Sequence, residues 1–250
     1  MNYTKDETII ELQKELSTIA NLYNAACVKW TEKTKDSKEY YSEIIANELL
    51  RNLKEFDKIA TVTRSSSYCR ENHAKIEIDL SSNRNEEIFA KRIANLNFDE
   101  LGTIVDYQVP LKDTRQDKGL GKIDLISFDE KNKTLYLIEL KYKGNKETLL
   151  RAILESYTYY KIVDEKKLIN DCFNNQKFLL NKLYNFVNPE EIKVVPTVLL
   201  VPNCQASDDL TDVETGERPK LQALALALDV KFFTLNIDVS GASFQNILPF

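Results

Sequence analysis

The stretch from Gly121 to Lys141 constrains the fold of this chain more than any other. Gly121-Lys122-Ile123-Asp124-Leu125 opens one apolar run, and Leu135-Tyr136-Leu137-Ile138-Glu139-Leu140-Lys141 ends the next. Asp129-Glu130-Lys131-Asn132-Lys133 between them is polar and turn-forming, so the two runs predict a β-hairpin. Side chains alternate with period two along a strand, which sends Glu139 and Lys141 to the same face. Burying such charges is costly unless they pair or hold a metal. Two carboxylates offer hard oxygen ligands that suit Mg²⁺ or Mn²⁺, and a lysine beside them suits a water or a phosphate. The plain alternative is a pair of strands whose ends are charged because they face solvent.

The flanking residues add order to this pattern. Upstream, Asn85 to Leu96 reads as a helix with Phe89, Ile93 and Leu96 on one face, within a helix expected over 84–96. Glu86 stands three residues before Phe89, at one end of that apolar stripe, and so fits a site role better than Glu87. Downstream, Leu149 to Val163 reads as another helix, carrying Glu155-Ser156-Tyr157-Thr158-Tyr159.

Helix with Glu, strand, Asp-headed strand, turn, strand ending in Glu-x-Lys, then helix: this order resembles the PD-(D/E)xK nuclease superfamily. The resemblance covers residues from about 84 to 163, and loosely those to the C-terminus. It implies an α/β chain with a three-layer αβα core and a mixed central sheet, the restriction-endonuclease-like fold. It implies that Asp124, Glu139 and the backbone carbonyl of Leu140 hold Mg²⁺ or Mn²⁺, and that Lys141 orients or activates the attacking water. Glu86 would reach the metal through water or hold Lys141. Glu155 and Tyr159 stand where the family's Gln-x-x-x-Tyr pair contacts substrate, and Lys122 and Lys143 are expected beside them. Glu155 in place of Gln is a departure, and could instead add a carboxylate near the metal. The implied function is a metal-dependent nuclease hydrolysing phosphodiester bonds, in DNA ahead of RNA, in defence or repair. The rivals are an RNA nuclease and a catalytically silent module that keeps the fold for binding or assembly.

A net charge of −5 argues against a protein that coats nucleic acid non-specifically. Lys112, Arg115, Lys118, Lys122, Lys143, Lys146 and Arg151 could ring the site or form a solvated charged face, and both readings stay open. No segment approaches the ~20 apolar residues that cross a bilayer, and Met1 to Glu7 lacks the apolar run of a signal peptide. A cytoplasmic protein without membrane contact is therefore expected. Cys27, Cys69, Cys172 and Cys204 are far apart and read as free thiols. The single histidine, His73, reads as a loop residue, and Gly119-Leu120-Gly121-Lys122 lacks the spacing of a phosphate-binding loop.

Two units are expected: an N-terminal helical hairpin over 1–60 and a nuclease-like core over 61–250. Ile9, Leu12, Leu16, Ile19, Tyr23, Ala26 and Trp30 form a heptad stripe, followed by Tyr41, Ile44, Ile45, Leu49, Leu53 and Phe56. Such helices pack on the core by default, though they could also join two copies of the chain. Ile76 to Leu80 alternates like a short strand, and 103–110 reads as a longer one ending at Pro110. A helix is expected over about 166–187, a central strand at Val194–Val201, a mobile loop at Cys204–Glu217, a helix from Arg218 to Leu228 and a strand from Lys231 to Ile237.

Overall fold

In the computed structural model the hairpin forms from β3 (Lys122–Asp129) and β4 (Thr134–Lys141), paired antiparallel with Leu125 opposite Ile138 and Asp129 opposite Thr134. Asp129 builds the turn: its Oδ1 accepts from Lys131 N at 3.0 Å and Asn132 N at 3.2 Å, the usual use of aspartate in a tight turn. The structure describes residues 3–69, 76–79, 81–94, 96–112, 121–174, 188–237 and 244–245. His73, Arg115, Lys118, Gly119 and the 175–187 part of the expected fifth helix lie outside them.

The hairpin is the middle of a six-stranded mixed sheet in the order β1-β2-β3-β4-β5-β6, with β1 (Asn97–Phe98), β2 (Gly102–Pro110), β5 (Lys193–Leu200) and β6 (Lys231–Thr234). β1 to β4 are antiparallel, whereas β5 and β6 join in parallel. A parallel partner needs a crossover, and α4 (Leu149–Ile162) with α5 (Glu165–Asn174) lies on the path from β4 to β5. Two further residues pairs, Asn236–Ile237 and Phe244–Gln245, form a separate two-stranded ladder.

Each face of the sheet has its own apolar layer. Leu135 and Leu137 of β4 join Leu150, Ile153 and Leu154 of α4, while Ile138 and Leu140 join Phe89, Ala90 and Ile93 of α3 (Asn85–Ile93). Period-two alternation along β4 thus places one helix on each side. Each such side chain, fully buried, contributes ~1.5–3 kcal/mol. The protein is a mixed α/β structure.

The N-terminal segment is built into the α4-side layer. Leu12, Ile19, Leu22, Val28, Ile45, Leu49 and Phe56 share one cluster with Leu137 and Leu154. Ile9 and Leu16 are half-buried, and Ile10 is exposed. The expected first helix is shorter than its stripe. α1 (Lys5–Glu15) begins in a capping box between Thr4 and Glu7, then passes into 3-10 turns over Leu16–Asn24. Thr18 leaves helical geometry there (φ −119°, ψ 45°). Its hydroxyl donates to Glu15 O at 3.1 Å, the local competition that makes threonine a poor helix-interior residue.

α2 (Tyr41–Arg51) packs on α7 (Pro219–Ala227). Glu43 accepts from Lys220 N at 2.9 Å and Leu221 N at 2.7 Å, a carboxylate at a helix N-terminus. Arg218, fully enclosed, ties α2 to this region through Ser42 (2.7 Å), Asp209 (2.9 Å) and Asp212 (2.9 Å).

Two expectations are corrected. Cys204–Glu217 is not a loop: α6 spans Gln205–Glu214, with Ala206, Leu210 and Val213 buried at helical spacing beneath the polar residues. Ile76–Asp79 is not a strand, since it has no ladder partner among the described residues. Among those residues no helix is long and apolar enough to cross a membrane.

Candidate functional site

Asp124 marks the point where the β3–β4 ladder gives way to side-chain contacts. Its Oδ2 accepts from Leu140 N at 3.0 Å, and its Oδ1 accepts from Gln108 Nε2 at 2.8 Å. Gln108 lies on β2 with φ +49°, a left-handed conformation that costs a non-glycine residue ~1–3 kcal/mol. Across it β2 changes face: Tyr107 belongs to the α3-side layer and Val109 to the α4-side layer. Gln108 was not singled out in the sequence, and its neighbours carry no signal for it.

An open cleft of about 590 Å³ lies in front of Asp124, lined also by Asn85, Glu86, Gln108, Lys143 and Asn145. Glu86 Oε1 accepts from Tyr142 N at 3.1 Å and Asn145 Nδ2 at 2.6 Å, so α3 is fastened to the chain leaving β4. Glu87 also borders the cleft, but its carboxylate pairs with Lys91 (3.1 Å) and Arg84 (3.4 Å). Lys143 is exposed at the rim, and Lys122 is exposed on β3.

Behind Asp124 lies a nest of buried charge. Lys141 Nζ contacts Glu139 Oε1 at 2.7 Å, Glu147 Oε2, and Glu155 Oε2 at 3.6 Å. Arg151 reaches Glu147 at 2.9 Å and Glu155 at 3.5 Å from the far side. Glu139 and Lys141 therefore meet as their period-two spacing predicts, both almost fully enclosed. Glu155 and Tyr159, expected as substrate contacts, are instead buried and bonded to each other, Tyr159 Oη to Glu155 Oε1 at 2.9 Å. Helix α4 turns that face toward the sheet, so neither lines the cleft. Glu147, which the sequence reading passed over, is drawn in because Thr148 caps α4 and starts the helix beside Lys141.

Tyr159 also stacks edge-on against Tyr23 (5.6 Å), so the N-terminal turns form part of the nest's wall. Gly121 passes so close that a Cβ there would sit 2.0 Å from Tyr159 Oη. Gly121→Ala must push Tyr159 away, and is expected to cost ~1–3 kcal/mol. Chemical denaturation checks this; an unchanged midpoint would mean the ring moves freely.

The charges shape one another. Burial pushes Asp124 up from 3.8 to about 7; Lys141 and the Leu140 N–H pull against this, while Glu86 and Glu155 add to it. Glu139 stands well above the carboxylate range, through burial first and then Glu155, with Asp124 raising it further. Burial pulls Lys141 down, but Glu139, Glu155 and Glu147 outweigh it and hold the ammonium well above the ordinary lysine value. Burial raises Glu147, yet Lys141 brings it below the usual range. Lys141 is thus a firmly held cation, unsuited to removing a proton.

A folded pKa above the unfolded one means that the folded state keeps a proton the unfolded chain releases. The contribution of Asp124 is therefore complete below about pH 4 and lost as pH rises to about 7. Asp124→Asn should flatten that decline and melt ~2–4 °C above wild type at pH 8 without metal, about 1 kcal/mol, since Asn still offers one acceptor oxygen. Thermal melts at pH 4.5 and 8 test this, and a variant less stable than wild type at pH 8 would contradict it.

Compared with protein-family models, curated proteins and solved structures, the chain finds no match.

Proposed function

We propose that this protein is a metal-dependent phosphodiesterase acting on nucleic acid in the cytoplasm, DNA ahead of RNA, on a restriction-endonuclease-like core. The observation that carries the reading is that Glu139 and Lys141 of β4 pair with each other, with Asp124 of β3 near enough to influence the charge of both, beside a cleft bordered by Asp124 and by Glu86 of α3. The six-stranded mixed sheet, with α3 on one face and α4 on the other, supports the fold assignment.

The donor set fits a hard divalent cation. Asp124 raises the pKa of Glu139, Glu86 and Glu155 add to that of Asp124, and a cation relieves such repulsion between carboxylates. Asp124, Glu139 and the Leu140 carbonyl would hold Mg²⁺ or Mn²⁺. The bound ion would supply Lewis-acid polarisation of the phosphate and a more acidic water. The chain's own residues supply the rest. Gln108 and the Leu140 N–H hold the Asp124 carboxylate in one orientation. Lys141 offers ammonium donors to the attacking water and to charge developing on the phosphorane. Glu86 holds α3 against the chain beyond β4, and Lys143 at the rim can meet a phosphate.

One observation favours a second reading, a catalytically silent binding module. Lys141 is enclosed by Glu139, Glu147 and Glu155 and does not border the cleft. The purified chain with Mg²⁺ or Mn²⁺, tested on single- and double-stranded DNA and RNA, distinguishes the two. Cleavage that chelation abolishes supports the enzyme. Inactivity on every substrate, with no metal binding, supports the silent module.

A further inference from the structure

Glu147 and Glu155 are not needed by the reading above, yet both turn into the gap where the Lys141 ammonium sits. Glu139, Glu147 and Glu155 each bring an oxygen within 4.8 Å of the other two. Arg151, four residues from each glutamate, pairs with both and holds their separation. Three carboxylates thus face two cations, Lys141 and Arg151, and Asp124 lies close enough to raise Glu139 further.

The observation that points to a ligand is Glu155 Oε2. Glu155 is 8% exposed, and this oxygen is buried without a hydrogen bond. Its neighbouring cations, Arg151 Nε at 3.5 Å and Lys141 Nζ at 3.6 Å, make no hydrogen bond to it. Tyr159 Oη engages the other oxygen at 2.9 Å and pins the carboxylate in this orientation. A buried carboxylate oxygen left without a donor is unfavourable, and a small divalent cation satisfies it at short range.

We propose that Glu139, Glu147 and Glu155 form a divalent-cation site in which Mg²⁺ or Mn²⁺ takes the place of the Lys141 ammonium. Glu139 is common to this site and to the Asp124 site, and the inference depends on the proposed function only through that residue. A cation seated here separates Lys141 from Glu139 and Glu147 and releases its ammonium toward Asp124. Shared carboxylates between two cations are a recurrent arrangement in phosphoryl chemistry.

The test uses the full chain and Mn²⁺ alone, read by calorimetric titration and by the rise in melting temperature that binding produces. Glu147→Gln and Glu155→Gln should each weaken binding by ~10–100-fold, the loss seen when groups supporting a metal site are removed. Each should also shrink the Mn²⁺-dependent rise in melting temperature, and in an Asp124→Asn background, which removes the other proposed site, either change should abolish the rise that remains. Binding lost in Asp124→Asn but intact in both glutamine variants overturns this site and leaves the proposed function standing. Binding unaffected by any of the three variants, or absent from wild type, also overturns it. If a glutamine variant fails to fold, Glu147→Asp and Glu155→Asp keep the charge and shorten the reach. Weaker binding in these supports the site, and unchanged binding overturns it.

Discussion

Replacing Lys141 with Met should produce the largest loss of stability of any single change at the site. The methylene stem is retained, but Glu139, Glu147 and Glu155 lose the ammonium that faces all three. Removing one partner from a buried ion pair leaves uncompensated charge and costs ~3–5 kcal/mol. Glu139 already stands well above the carboxylate range with Lys141 present, so without it the acid holds its proton to a still higher pH. The sign follows: the penalty grows as pH rises and the carboxylates ionise, and shrinks on acidification as they take up protons. Urea denaturation of wild type and variant at pH 8 and pH 5.5 measures it. A variant within ~0.5 kcal/mol of wild type at pH 8 would show that Arg151 alone balances the nest.

If the proposed nuclease reading holds, Asp124→Asn and Glu139→Gln carry the largest expected effects on activity. Each should lower Mg²⁺-dependent cleavage by ~10²–10³, the usual consequence of losing a preorganised electrostatic group. The two changes act differently on the metal-free protein. Asp124→Asn keeps an acceptor for Leu140 N or Gln108 Nε2, while Glu139→Gln leaves Lys141 a neutral amide oxygen in place of the charged partner it holds at 2.7 Å. Cleavage rates at saturating Mg²⁺, with circular dichroism as a check of folding, separate chemistry from collapse. Wild-type rates in both folded variants would place the metal-binding acids elsewhere in the chain.

Local pattern carried much of this architecture. The hairpin was legible because an apolar run with period two on either side of Asp129–Lys133 has few other solutions, and β3 and β4 begin and end within a residue or two of the expected bounds. The continuous apolar run at Val194–Val201 became β5, flanked by β4 and β6 and covered on both faces. Helix α4 followed its stripe from Leu149 to Ile162. Where polar residues diluted the pattern, local reading failed. The stripe of Ala206, Leu210 and Val213 in α6 was hidden among Ser, Asp and Thr residues, two of which, Asp209 and Asp212, are polar because they meet Arg218. Of the N-terminal heptad, Leu12, Ile19 and Tyr23 are buried, Ile9, Leu16 and Trp30 are half-buried and Ala26 is exposed, and Thr18 bends the backbone that carries it.

For the site, the sequence by itself determined that Glu139 and Lys141 share a face, because strand alternation is a local rule. It also placed Glu86 on the first turn of α3 and Asp124 near the head of its strand. What only the tertiary structure decided is which charges meet. Glu147 and Glu155 close around Lys141 because α4 crosses beneath β4, and Gln108 reaches Asp124 because β2 turns over at a left-handed residue. Burial then sets the electrostatics, raising Asp124 and Glu139 while their surroundings hold Lys141 charged. Contacts between residues distant in the chain, and the water they exclude, depend on how the layers pack, and no spacing along a strand or helix encodes that.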